Sequence, residues 1–229
     1  MIKILKNKEK KFIYISIFPS YFHNYFNLTL VKKALENNII KYEVYNPRDF
    51  SRKGKIDDYP YGGGPGMLMK IEPIVKILKI IKDLYPKSCF ILLSPQGKTF
   101  CQKEAEKMIK KFSQLVFICG RWEGIDSRIN NYVDKTISLG NFVSMGGEIP
   151  SLLISEVLIR AIPGVINKIS YQEESFQKKI LDYDSYTRPR KFDNLFVPDV
   201  LLSGNHKEIT KWRKKNIKEK LKTLKKIIK

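Results

Sequence analysis

Phe12 to Phe18 is an almost unbroken apolar run stopped by Pro19, and it predicts a first strand. Tyr21 to Asn37 then follows helical spacing. Tyr42 to Tyr45 predicts a short second strand, ended by the turn-forming pair Asn46-Pro47. Ser51 to Gly66 is polar and then glycine-rich, which predicts a loop. Glu72 to Leu84 carries Ile74, Ile77, Leu78 and Ile81 at helical spacing, with Pro73 suited to the first turn. Further along, Ser88 to Leu93 predicts a continuous buried strand, Gln102 to Lys111 a helix, and Leu115 to Cys119 another buried strand. Asp126 to Tyr132 predicts a short helix and Lys135 to Leu139 a short strand.

Strands alternating with helices, several of them apolar throughout, predict an α/β fold with a parallel sheet covered on both faces. Pro150 to Ala161 then reads as an apolar helix closed by Pro163-Gly164. Beyond it the texture changes. Asn167 to Phe196 is polar and irregular. His206 to the end is a basic helix that holds Trp212, with Ile209, Leu221, Leu224 and Ile228 on a partial apolar face and Asn205 placed to cap it. The expected organisation is a first domain over 1–163, a linker over 164–177, and a small basic helical domain over 178–229.

Charge sharpens this picture. The net formal charge is +20, and 43 Lys+Arg stand against 23 Asp+Glu, which favours a polyanionic partner. Nearly half of the excess lies in Gly204 to Lys229, where eleven Lys/Arg face two acids. A stripe localised in that way points to nucleic acid. No stretch approaches the roughly 18 apolar residues of a membrane span. The lysine-rich segment Met1 to Lys11 lacks a secretory pattern, so a cytoplasmic location is expected and no membrane partner. Cys89, Cys101 and Cys119 are odd in number and lack metal-ligand spacing, and only His23 and His206 could join them. Buried reduced thiols are expected for Cys89 and Cys119, and no zinc site.

Four loops lie at or beside strand ends, where parallel sheets bind ligands. They are Tyr61 to Gly66, Ser94 to Gly97, Cys119 to Gly124, and Leu139 to Glu148. Their glycines allow close backbone approach. None carries Gly-Lys-Ser/Thr or the dinucleotide fingerprint, which disfavours a phosphate cradle and a nucleotide-dependent oxidoreductase.

Taken together the segments are far more specific than any one alone. Tyr61 to Met67 reads YGGGPGM, Ser94 to Gly97 SPQG, Cys119 to Asp126 CGRWEGID, and Leu139 onward LGNFVSMGGEIP. IPGV follows at Ile162, YTRP at Tyr186 and LLSGNH at Leu201. In this order the chain resembles, over essentially its whole length, the bacterial tRNA (guanine-37-N1)-methyltransferases, the TrmD family of the SPOUT superfamily.

That resemblance implies a parallel-sheet α/β domain with a C-terminal trefoil knot, plus a small helical C-terminal domain that grips the anticodon arm of tRNA. It implies a homodimer with shared active sites. The reaction it implies is methyl transfer from S-adenosyl-L-methionine to N1 of the guanine immediately 3′ of the anticodon. Carried over position by position, the cofactor-binding residues are Leu93, Ser94, Gly120, Leu139, Gly140, Asn141, Phe142, Val143, Ser144, Gly146, Gly147 and Pro150. Glu123 and Arg160 match the active-site acid and arginine. Pro65, Gly66, Trp122, Ser175, Arg188 and Arg213 are expected on the tRNA side. Magnesium (Mg2+) is associated with the family, but no ligand cluster in the sequence shows where it would sit.

One departure bears on the chemistry. The family's general base is an aspartate in a Glu-Asp-Ser-Phe stretch. Here that stretch reads Glu173-Glu174-Ser175-Phe176, which makes Glu174 the matching carboxylate. Trp122 stands where tyrosine is usual, and Ser144 and Met145 where leucine and serine are. The alternative reading is a non-catalytic RNA-binding protein that keeps the same fold. Retention of Glu123, Arg160 and the cofactor loops argues against it.

Overall fold

A computed structural model describes residues 9–167, 171, 175 and 182–227. The chain divides into two compact units, Met1–Asn167 and Lys168–Lys229. The first is built on β1 (Lys10–Ile15), α1 (Ser20–Phe26), α2 (Thr29–Glu36) and β2 (Ile40–Tyr45). Two-residue strands β3 (Asp57–Asp58) and β4 (Leu68–Met69) follow, then α3 (Ile71–Leu84), β5 (Cys89–Thr99), α4 (Gln102–Lys111), β6 (Gln114–Ile118), β7 (Lys135–Ser138) and α5 (Glu148–Arg160).

Five strands form one sheet in the order β2-β1-β6-β5-β7, with every pairing parallel. Alternation along each strand supplies the two faces. In β1, Phe12 and Tyr14 join one core with α1, α2, α4 and α5, while Ile13 and Ile15 join a second with α3. In β6, Leu115 and Phe117 go one way and Val116 and Ile118 the other. Burial on both sides explains why these strands read as continuous apolar runs.

The segment expected as one helix from Tyr21 to Asn37 is two. In a continuous helix Val31 would lie about 180° around the axis from Phe22. Both residues are buried in the same core, so the chain breaks at Asn27-Leu28, with Leu28 extended. The first strand starts at Lys10 and stops at Ile15 rather than Phe18, because its partners Ile40 to Tyr45 and Gln114 to Ile118 set its length. The supposed loop over Ser51 to Gly66 contains β3, which pairs antiparallel with β4 beside the buried Ile56. Ser127–Tyr132 is 3-10 rather than α-helical. Helix α5 begins before Pro150, which a first helical turn accommodates because its N–H groups need no intrahelical acceptor.

β5 departs furthest from expectation. It runs past Leu93 to Thr99 and meets β7 twice. Leu93 and Lys98 both pair with Ile137, so residues 94–97 form a loop whose ends straddle β7. Phe100 N–H then donates to the Ser138 carbonyl at 2.8 Å. Gly97 sits at the crossing: a Cβ there would lie 2.6 Å from the backbone of Thr136 and Ile137.

In the second unit, the segment read as irregular holds a hairpin of β8 (Lys191–Phe192) and β9 (Leu195–Phe196), turned at Asp193 with φ of 51°. Short α6 (Asp199–Leu202) and long α7 (His206–Ile227) complete it. Asn205 Oδ1 accepts from the N–H groups of Lys207 and Glu208 and caps α7. Among the described residues, no helix is long and apolar enough to cross a membrane.

Candidate functional site

A cleft of about 480 Å³ opens at the carboxyl ends of β5, β6 and β7, the edge where parallel sheets place ligands. Three loops wall it. Leu93 to Gln96 come from the bend in β5, Gly120 to Ile125 follow β6, and Leu139 with Phe142 to Gly147 follow β7. Pro150, in the first turn of α5, closes one side.

The loops approach one another through backbone. Gly147 N–H donates to the Gly120 carbonyl at 3.0 Å. A Cβ on Gly147 would meet Cys119 Cα at 2.6 Å, so only glycine lets these walls touch. Gly140 has φ of 146°, and the Phe142 ring lies 3.2 Å from where its Cβ would be. The Ser138 hydroxyl takes part in this turn, with Gly140 N–H at 3.1 Å. Glu123 stands at the cleft wall, with its N–H on the Met67 carbonyl at 3.1 Å, and Gly66 packs against its side chain. The YGGGPG loop is thereby brought to the mouth of the cleft.

Beneath the cleft lies a buried ion pair. Glu148, the first residue of α5, is 0% exposed. Its Oε1 accepts from the Ser16 hydroxyl at 2.6 Å, and its Oε2 lies 2.8 Å from Arg121 Nε. The Arg121 guanidinium also stacks over the Phe18 ring, 4.5 Å from its centroid. Below these, burial pushes the Cys119 thiol up from its ordinary range, and the Glu148 charge adds to the shift.

Of the twelve positions expected to bind cofactor, ten line this one cleft, and Gly140 and Asn141 lie in its third loop between Leu139 and Phe142. Trp122 lines it as well, and its φ of 57° turns the loop there. Arg160 does not join them. It ends α5, roughly 15 Å along the helix from Pro150 at 1.5 Å rise per residue. Glu174 lies outside the described residues. In the second unit, the Ser175 hydroxyl accepts from Asp182 N–H at 3.0 Å, Arg188 is exposed, and Arg213 stacks over the Tyr183 ring, 4.4 Å from its centroid. Trp212 is half-buried near Tyr186 rather than presented to solvent.

The sequence and the fold match known proteins. The family description that matches residues 10–227 is tRNA (Guanine-1)-methyltransferase TrmD. The chain belongs to the TrmD family. It is 45% identical over 214 residues to the tRNA (guanine-N(1)-)-methyltransferase of Mycoplasmopsis pulmonis, with 93% of each protein covered. It is 46% identical to that of Dictyoglomus turgidum over 90% of this chain and 84% of the relative. The crystal structure of tRNA (m1G37) methyltransferase from Aquifex aeolicus matches with a TM-score of 0.80 at 35% identity, covering 94% of this chain and 93% of that one.

Within a TrmD chain the sequence reading missed Arg121, Glu148 and Ser16 as parts of the site. The signal was present in CGR and GGE, an arginine and an acid inside the two most glycine-rich loops. Glycines dominate these loops, and nothing in spacing ties residues 121 and 148 together.

Proposed function

We propose that this chain transfers a methyl group from S-adenosylmethionine to N1 of the guanine immediately 3′ of the anticodon in tRNA. The observation that carries the reading is the convergence of ten family-matched positions on one cleft. Its lining suits such a donor. Leu92, Ile137 and Leu139 offer apolar surface to a base, and the glycine loops offer backbone N–H and C=O groups to its edge. Arg121 is the one cation among the lining residues, and its charge is taken up by Glu148. A sulfonium ligand, itself positive and without phosphate, fits this wall, and it supplies an electrophilic methyl group.

The chain's own residues do the rest. Guanine N1 carries a proton that must leave as the N1–methyl bond forms. Glu174 receives it as general base, a role that matches the family position. Arg160 faces the O6 on which negative charge builds. Glu123 and Gly66 stand at the cleft mouth, where the base enters. Among the described residues no three His, Cys, Asp or Glu side chains come together to hold a cation.

The site is shared between two copies in this reading. Arg160 ends a helix whose first turn, with Pro150, is at the cleft. A second copy can bring its own Arg160 to that cleft. Helix α5 carries a reason to pair: Ile149 and Leu153, one helical turn apart, are 59% and 52% exposed while the opposite face is buried. The trefoil knot also belongs to the proposal, supported by the loop 94–97 that straddles β7. The basic α7 meets the tRNA backbone, in the cytoplasm.

The experiment is transfer of a labelled methyl group to tRNA under single-turnover conditions, with wild type and Glu174→Gln. Wild type labels the tRNA, and the variant falls by about 100-fold or more, the scale of a lost general base. A wild-type chain that binds neither S-adenosylmethionine nor tRNA overturns the reading, and a variant at the wild-type rate removes Glu174 from its role.

A further inference from the structure

We infer that the Arg121–Glu148 pair is a positioning device for the methyl-transfer site, resting on the function just proposed. It touches no ligand directly through Glu148, whose side chain is 1% exposed. It works through Arg121, which stands in the loop that also carries Gly120, Trp122 and Glu123.

Three chain segments converge on the pair. Ser16, just past the end of β1, donates its hydroxyl to Glu148 Oε1 at 2.6 Å and fixes the carboxylate. The same hydroxyl oxygen accepts from Phe18 N–H at 3.0 Å, which seats the Phe18 ring under the Arg121 guanidinium. Arg121 Nε lies 2.8 Å from Glu148 Oε2, and Arg121 and Gly146 form an antiparallel backbone bridge. Arg121 Nη1 reaches toward the Met145 carbonyl at 3.4 Å. Loop 119–124 is thus tied to loop 139–147 by charge as well as by the Gly147 to Gly120 hydrogen bond.

The pair is costly to keep. Arg121 Nε and Glu148 Oε2 are both cut off from solvent, and among the described residues neither makes an aligned hydrogen bond. At these two atoms their mutual attraction has to offset the desolvation, and an apolar pair of similar volume commonly serves stability as well or better. Space is tight as well. A Cβ on Gly146 would lie 2.6 Å from Arg121 Cδ and 2.7 Å from Glu148 Oε2. Glycine at 146 therefore admits the pair, and the pair holds both cleft walls at one separation. The consequence falls on Trp122 and Glu123, whose backbone leaves Arg121 directly. A displacement of about 1 Å at a reacting centre can cost on the order of 100-fold in rate.

The test compares Glu148→Gln, Arg121→Lys and the apolar double variant Arg121→Met/Glu148→Leu. Each is checked for its unfolding temperature, then assayed well below it. Readouts are the Kd for S-adenosylmethionine by calorimetry and the single-turnover rate at saturating donor. A purely structural pair predicts that the double variant regains wild-type stability, affinity and rate together. The positioning role predicts a split: stability returns in the double variant, while affinity stays at least tenfold down and the rate at saturation lower still. Glu148→Gln keeps the volume and the acceptor for Ser16, and it shows the same functional loss with a smaller loss of stability. Wild-type affinity and rate in folded Glu148→Gln and in the double variant overturn the inference. Absence of donor binding by wild type instead overturns the function on which it rests.

Discussion

Gly97→Ala isolates the crossing of β5 over β7. At this position the backbone conformation is one that any residue adopts, since its φ is outside the left-handed region. By chain entropy alone the change stabilises by about 0.4–1 kcal/mol. The structure predicts the opposite sign. An added Cβ lies 2.6 Å from three backbone atoms of Thr136 and Ile137, none of which can rotate away. Carbon contacts settle near 3.5–4.0 Å, so the crossing must open by about 1 Å. Overpacking of this kind costs roughly 1–3 kcal/mol. For a chain of this size each kcal/mol moves the midpoint by about 2–4 °C, so Tm falls by roughly 2–12 °C. Because Ser94, Pro95 and Gln96 wall the cleft, ligand affinity falls with it. Differential scanning calorimetry gives Tm, and titration gives affinity. Gly54→Ala is the control: it has no neighbour within 4 Å but a φ of +70°, so it strains the backbone without touching the cleft. A Gly97→Ala protein with unchanged or raised Tm would refute the tight crossing.

Thiol titration of the native protein is expected to modify Cys101 quickly and to spare Cys89 and Cys119 until denaturant is added. Cys101 is exposed, whereas burial pushes the Cys89 thiol up to about 12, with Asp134 adding to it, and raises Cys119 further. The pair Glu104–Lys135, 2.8 Å apart, sets a pH signature. The Lys135 hydrogen bond holds the Glu104 carboxyl below its ordinary value, so its stabilisation is present above the unfolded pKa near 4.3 and is lost as pH falls through the folded one. Glu104→Gln therefore lowers Tm modestly at pH 7, and the difference from wild type closes in acid.

The alternation of strands and helices was legible because the sheet is buried on both faces, so β1, β5 and β6 announce themselves as apolar runs. The cleft was legible through its motifs: glycines at 146 and 147 are required by close contacts between loops, and they sit in recognisable strings. Other features leave no local trace. The break at Asn27-Leu28 shows only as a phase slip between Phe22 and Val31. The second pass of β5 along β7 depends on which edge of a strand the chain returns to, a property of topology rather than periodicity. The pairing of Arg121 with Glu148 joins residues far apart in sequence, and it arises only when two loops are folded together. The hairpin at Lys191–Phe196 hides in a polar stretch because its strands are two residues long and its apolar side chains are exposed. Arg160 matches the family's active-site arginine by motif, yet a helix of fixed rise holds it roughly 15 Å from Pro150.

The central claim is methylation of one guanine, and primer extension measures it directly. Unmodified tRNA is incubated with the protein and S-adenosylmethionine, and reverse transcriptase is run through the anticodon arm. A methyl on N1 blocks the Watson–Crick edge, so the account predicts a new stop at the guanine 3′ of the anticodon. That stop requires the methyl donor and vanishes when the guanine is replaced. Full-length extension despite demonstrated binding of tRNA and donor would contradict it.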